Sequence, residues 1–337
     1  MKVVIRKDAM ASIKLRAAAL LSIATLSLTA CGSSTDTAAE ANADDAKKVS
    51  FTDNDGEKNV SVPATSIVAT DNRTFETLDS WGIKLSAAAV TLMPDTISYT
   101  TDKDILDLGS HKEPNLESVV TVDPDLIING QRYAQYADKF KELAPEATIV
   151  SLDPRDGEPL DAELERQVTT MGEIFAKQDE AKKLVDQFEA AQKRVEAAYN
   201  TDDTVMGLVA SGGELGYSAP KTGRTVGPMF DFLGLTPALE LEDSSTDHEG
   251  DDVSVEAIAK SNPDWIIVMD RDAAVASDGP DYQPAKKLLE ESEALQNVTA
   301  AKEGQVLVMP ADTYTNEGIQ TYTEFLNEFA DALEAAK

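Results

Sequence analysis

Cysteine, histidine and tryptophan are nearly missing from this chain. Its 337 residues include one Cys (Cys31), two His (His111 and His248) and two Trp (Trp81 and Trp265). A single Cys excludes a disulfide framework and leaves no thiol nucleophile in the body of the chain. Two His cannot supply the His-and-carboxylate clusters that hold zinc or manganese. Trp81 and Trp265 both lie in apolar contexts that read as core, whereas a sugar binder would be expected to show more Trp. There is no Gly-rich phosphate loop and no Ser elbow, and Ser211-Gly212-Gly213 reads as a strand-end turn. These absences argue against an enzyme. Positive charge is scarce as well: 30 Lys and Arg stand against 61 Asp and Glu, a formal net charge of −31. A surface so acidic argues against nucleic acid or anionic lipid as a partner of the general surface.

What is present begins with a leader. Lys2, Arg6, Lys7, Lys14 and Arg16 precede an apolar run over residues 17–28, which ends in Leu28-Thr29-Ala30-Cys31. A basic stretch and an apolar stretch too short to span a membrane indicate a secretory signal peptide over residues 1–30. The small residues ahead of the only Cys resemble a bacterial lipobox. That resemblance implies that Cys31 becomes the lipid-modified first residue of the mature chain; the alternative is a simple cleaved signal and a free thiol. Residues 31–48 then read as a flexible tether, small and polar and without apolar periodicity. Beyond residue 30 there are 25 basic and 60 acidic residues, or −35, and only seven Arg: Arg73, Arg132, Arg155, Arg166, Arg194, Arg224 and Arg271. No later stretch approaches the length of a membrane span.

Two segments 139 residues apart say nearly the same thing. In the first, Glu117 opens a short helical turn, Pro124-Asp125 follows, and an apolar strand leads to Arg132. In the second, Glu256, Pro263-Asp264 and Arg271 stand in the same register. Pro stops a helix and pre-sets an extended entry into the next strand. The duplication predicts two similar lobes, each with an exposed helix Glu and an Arg at the carboxyl end of a strand, where open α/β sheets bind ligands. The plainer alternatives are a solvated Glu and a surface ion pair.

The pattern of elements extends this. Residues 49–160 read as a first α/β lobe, with strands near 66–70, 85–90 and 147–152 and helices near 75–81 and 131–143. Residues 161–200 carry no Pro and only Gly172, with apolar positions at helical spacing. They predict one long helix bridging the lobes, or two nearly collinear ones broken near Gly172, spanning about 50 Å. Residues 201–337 repeat the alternation, with strands near 204–210 and 305–309, helices near 226–233, 284–295 and 318–336, and an acidic loop over 240–252 that holds His248. Alternating strands and helices indicate parallel sheets covered on both faces.

The duplicated element, the lipobox, and the phrases Asp123-Pro124-Asp125-Leu126-Ile127-Ile128-Asn129-Gly130 and Asn262-Pro263-Asp264-Trp265 through Asp270-Arg271 together resemble class III substrate-binding lipoproteins. Such proteins serve ATP-driven (ABC) importers of ferric siderophores, haem and cobalamin, and the likeness covers nearly the whole chain beyond the leader. Within the class the chain is most similar to binders of ferric catecholate siderophores of the enterobactin/petrobactin group. The resemblance implies two Rossmann-like lobes bridged by a single long helix, a monomer with no intrinsic cofactor, and a ferric siderophore as ligand. It implies that Arg132, Arg224 and Arg271 line the cleft, that His248 and Tyr314 can complete the iron shell, and that Glu117 and Glu256 dock on the permease, which works with its ATPase. The lipid anchor would hold the protein at the outer face of the cell membrane or in the periplasm. The family usually reads His-Gly where this chain has His248-Glu249-Gly250. Another iron chelate, haem or cobalamin on the same fold, or an adhesion or scaffold lipoprotein, are the alternative readings.

Overall fold

The computed structural model describes residues 47–109, 112–241 and 243–337. The leader, Cys31, most of the expected tether and His111 lie outside the described residues. Lys47 and Lys48, at the expected end of the tether, already belong to a strand. Strand β1 (Lys47–Asp53) pairs antiparallel with β2 (Gly56–Val62), and the hairpin buries Phe51, Asp53 and Val60 while Lys47, Lys48 and Glu57 stay exposed.

The first sheet follows. Strands β3 (Ile67–Ala69), β4 (Ala87–Ala88), β5 (Leu106–Asp107), β6 (Leu126–Asn129) and β7 (Thr148–Ser151) are all parallel, in the order β5-β4-β3-β6-β7. The chain builds outward from β3 in one direction, then returns to its other side. The strand order therefore reverses between β3 and β6. The second sheet uses β8 (Thr204–Ser211), β9 (Glu214–Tyr217), β10 (Thr236–Pro237), β11 (Trp265–Asp270) and β12 (Val306–Val308). Its order is β10-β8-β11-β12, with β9 antiparallel to the last four residues of β8, and here the order reverses between β8 and β11. Strands β3, β6 and β11 are buried along their whole length, as expected where helices cover both faces of a parallel sheet. Strand β9 is an addition to the sequence reading: Ser211-Gly212-Gly213 is the turn of a hairpin, with both glycines at positive φ.

The two repeat segments fold alike. Helices Leu116–Val122 and Val255–Ser261 have seven residues each and end in a left-handed residue, Asp123 or Asn262. The Pro-Asp that follows serves the sheet as well as the chain direction. Asp125 accepts from the backbone of Thr65 and Ser66 just ahead of β3. Asp264 likewise accepts from the Thr204 backbone (2.8 Å) and hydroxyl (2.9 Å) at the start of β8.

The bridging segment is two helices, Leu160–Phe175 and Gln178–Ala198, and they are not collinear. Ala176 adopts φ 53°, and the second helix folds back so that a Cβ on Gly172 would lie 2.6 Å from that of Ala181. Nine residues of straight helix would separate these two by about 13 Å. In place of one long helix, or two nearly collinear ones broken near Gly172, the break comes at Ala176, and Gly172 is the place where the second helix approaches the first. The second helix packs along the C-terminal helix Ile319–Ala335, where Arg194 meets Asp331 and Glu334.

Candidate functional site

Both switch points carry an arginine. At the first, β6 ends at Asn129 and Gly130 lies against Asp71, so that a Cβ on Gly130 would come within 2.7 Å of the Asp71 carboxyl. Gln131 then takes φ 51°, held there by its N–H donating to both oxygens of Asp153 at 3.0 and 3.1 Å. This turn presents Arg132, whose Nη2 donates to the Tyr314 hydroxyl across the cleft at 3.1 Å. At the second, Arg271 directly follows β11, and its Nη1 donates to Ser211 at the end of β8 (3.2 Å) and to Asp272 (3.3 Å). Carboxyl ends of strands flanking a reversal of order leave a crevice that no helix fills.

Arg224 arrives differently. It sits in a tight coil, in which a Cβ on Gly227 would lie 2.2 Å from the Gly223 carbonyl. The helix expected over 226–233 is only Met229–Phe232, the remainder being this coil. Arg224 donates through Nε (3.0 Å) and Nη2 (2.7 Å) to Glu317, which precedes the terminal helix.

The three guanidinium groups converge on one side chain. The carbons of Arg224, Arg271 and Arg132 lie 4.6, 5.1 and 5.8 Å from the ring centre of Tyr314. The His248 ring stands 6.3 Å from the same ring, tilted by 36°. Burial opposes ionisation of the Tyr314 phenol, but Arg271, Arg224 and Arg132 outweigh it and hold the phenol below its ordinary range. Together these five residues border a cavity of about 650 Å³, closed on another side by Leu92, Met93 and Val275. Among the described residues Arg132 has no ion pair, whereas Arg224 is paired with Glu317 and Arg271 with Asp272.

The His248 loop keeps its imidazole at the cleft despite the extra Glu249. Tyr217 at the end of β9 and Asp251 exchange two backbone hydrogen bonds of 2.8 Å, and Gly216 lets the Glu249 carbonyl come close. Glu117 and Glu256 do not line the cavity. Each is exposed, second in its seven-residue helix, behind a capping Asn115 or Ser254.

The sequence reading missed what lies under the cleft. Glu317 and Asp71 are buried, with Arg73 between Asp153 (3.4 Å) and Glu317 (3.5 Å). Burial, with the Asp153 charge beside it and Arg73 opposing, pushes the Asp71 carboxyl up to about 7. Burial also works against the Glu317 charge, yet Arg224 and Arg73 keep that carboxyl below its ordinary range. Arg73 stood among the seven arginines with nothing to single it out, and no local pattern distinguishes a buried Glu317 from a helix-entry glutamate.

Known proteins of this architecture bear on the site. Residues 67–313 match the family model described as periplasmic binding protein. The petrobactin-binding protein YclQ of Bacillus subtilis is 29% identical over 275 residues, covering 80% of this chain and 82% of its own. Its crystal structure superposes with a TM-score of 0.72 at 25% identity, covering 86% of this chain and 99% of that one. The ferric-anguibactin-binding protein FatB of Vibrio anguillarum is 28% identical over 250 residues, covering 74% of this chain and 75% of its own. The catecholate-siderophore binding protein VctP of Vibrio cholerae superposes with a TM-score of 0.73 at 21% identity, over 85% of this chain and all of that one, a likeness of fold.

Proposed function

The chain belongs to the periplasmic binding protein family, and from that premise we propose that it captures an anionic ferric siderophore, of catecholate or mixed type, in the cleft between its two sheets and delivers it to an ABC permease. It is a binding protein and not an enzyme, and the iron comes as part of the ligand. The observation that carries the ligand class is the gathering of Arg132, Arg224 and Arg271 around Tyr314 in an otherwise strongly acidic protein. A ferric tris-catecholate carries three negative charges. Guanidinium groups stay charged in a partly dry cleft and donate in a fixed fork, which suits such a ligand. The relatives named for petrobactin and ferric anguibactin favour the same class.

His248 and Tyr314 would serve ligands that leave iron short of donors. Phenolate is a hard oxygen ligand suited to Fe(III), imidazole an acceptable nitrogen one. The lowered Tyr314 phenol favours that use, and the hydroxyl would exchange its bond from Arg132 for one to the metal. Glu117 and Glu256 would dock one half each on the permease, and Cys31 would carry the lipid that tethers the protein outside the cytoplasmic membrane. Among the described residues no helix is long and apolar enough to cross a membrane.

The test is calorimetric titration with ferric tris-catecholate, bis-catecholate and hydroxamate complexes, haem and cobalamin. The anionic catecholates should bind tightest. Flat titrations with every ferric complex would remove the proposal.

A further inference from the structure

Glu317 is 2% exposed and yet ionic. Its carboxylate faces Arg224 edge to edge and accepts from the hydroxyl of Thr225. Thr225 is a β-branched residue at φ 68°, a backbone state that such side chains avoid unless the surroundings impose it. Arg73 approaches the same carboxylate from the other half of the molecule at 3.5 Å and reaches Asp153 with its second nitrogen. Asp153 in turn holds the backbone of Gln131, the residue before Arg132. The junction is tight, since a Cβ on Gly318 would lie 2.8 Å from the Arg73 carbonyl oxygen.

We propose that Glu317 is a positioning residue for Arg224, and that Glu317, Arg73 and Asp153 form one ionic chain beneath the cleft that fixes Arg224 in one half and the Arg132 turn in the other. The Nε–Nη2 edge of Arg224 is committed to Glu317. The Nη1 edge donates to none of the described residues and is left for an anion, with the guanidinium lying over Tyr314. An arginine held by a two-point contact has little further freedom to lose on binding, and this preorganisation raises affinity. The inference rests on the reading of the cleft as an anion site, and it makes a prediction whose sign opposes simple electrostatics. Removing the Glu317 charge makes the cleft more positive, which alone would tighten an anionic ligand; loss of positioning would weaken it.

The experiment measures dissociation constants of a trianionic ferric tris-catecholate and a neutral ferric tris-hydroxamate for the intact protein, Glu317→Gln, Arg224→Ala and the double variant. Glu317→Gln should weaken the trianion on the order of tenfold to a hundredfold. The neutral complex should change little, and the substitution should add nothing in the Arg224→Ala background. A general structural defect would weaken both ligands alike and overturn the proposal, as would unchanged or tighter trianion binding. If Arg224→Ala weakens the trianion while Glu317→Gln does not, the anion site stands and the positioning role alone falls. If Arg224→Ala binds as the intact protein does, both fall. Should Glu317→Gln fail to fold by circular dichroism, Arg73→Gln tests the same chain from a residue outside the cavity lining. It should also weaken the trianion selectively, and an unchanged constant would overturn the chain.

Discussion

The seven arginines beyond residue 30 divide by burial of their partners. Arg155 and Arg166 close on the buried Glu163, whose carboxyl they hold down to about 2 although burial pushes it the other way. Arg194 ties two helices together, Arg73 lies under the cleft, and Arg132, Arg224 and Arg271 surround Tyr314. Replacing Arg132 or Arg271 with Ala should cost about 1.5–3 kcal/mol of binding to a tris-catecholate, the range for hydrogen bonds to charged groups. The loss for neutral complexes should be smaller, and calorimetry showing equal losses would mean that charge is not the selector. His248 and Tyr314 carry a separate expectation. Tyr314→Phe and His248→Ala should weaken tetradentate ferric ligands far more than hexadentate ones, which already saturate the metal. A phenolate–iron band in the visible spectrum should vanish in Tyr314→Phe; identical spectra would leave Tyr314 as the arginines' stacking partner only.

At the scale of elements, the duplicated helix-Pro-Asp-strand segment does more than redirect the chain. Asp125 and Asp264 each hold the backbone that begins the neighbouring central strand, which sets the register of β3 on β6 and of β8 on β11. Through that register the Arg at each strand end comes to the reversal of strand order. Asp264→Ala leaves the Thr204 N–H and hydroxyl without their acceptor and should destabilise the protein by about 1–3 kcal/mol. A shift of the urea midpoint at unchanged slope would show it, and a loss under ~0.5 kcal/mol, as at an ordinary surface site, would refute the role.

For the whole molecule, binding and delivery should separate. Glu117 and Glu256 are exposed and lie outside the cleft, so the double variant Glu117→Ala/Glu256→Ala should bind ferric siderophore with unchanged affinity yet fail to support iron uptake in cells. Normal uptake would end the docking assignment. The anchor is tested apart from both: Cys31→Ser should abolish labelling with palmitate and normal maturation, and a variant still labelled and matured would refute it.

Much of the architecture was legible in order along the chain, because the signals are local. Period-two and period-3.6 patterning, Pro-Asp strand entries and the Glu…Arg register pointed to parallel sheets and to two of the cleft arginines without any knowledge of contacts. The turn of β9 was misread because two glycines look alike whether a strand ends or reverses. The break allowed for near Gly172 lies at Ala176, and the fold-back that makes the two helices non-collinear was not legible because the reason for Gly172 is Ala181, nine residues on. Tertiary structure alone decided what depends on pairs far apart in the chain: the stacking of Arg132 and Arg224 on Tyr314, the return of His248 through the Tyr217–Asp251 pairing, and the burial of Glu317 between Arg73 and Arg224. A carboxylate's sequence neighbours do not reveal whether it faces water or two guanidinium groups, since its charge is sustained in the interior only by partners that folding brings from elsewhere.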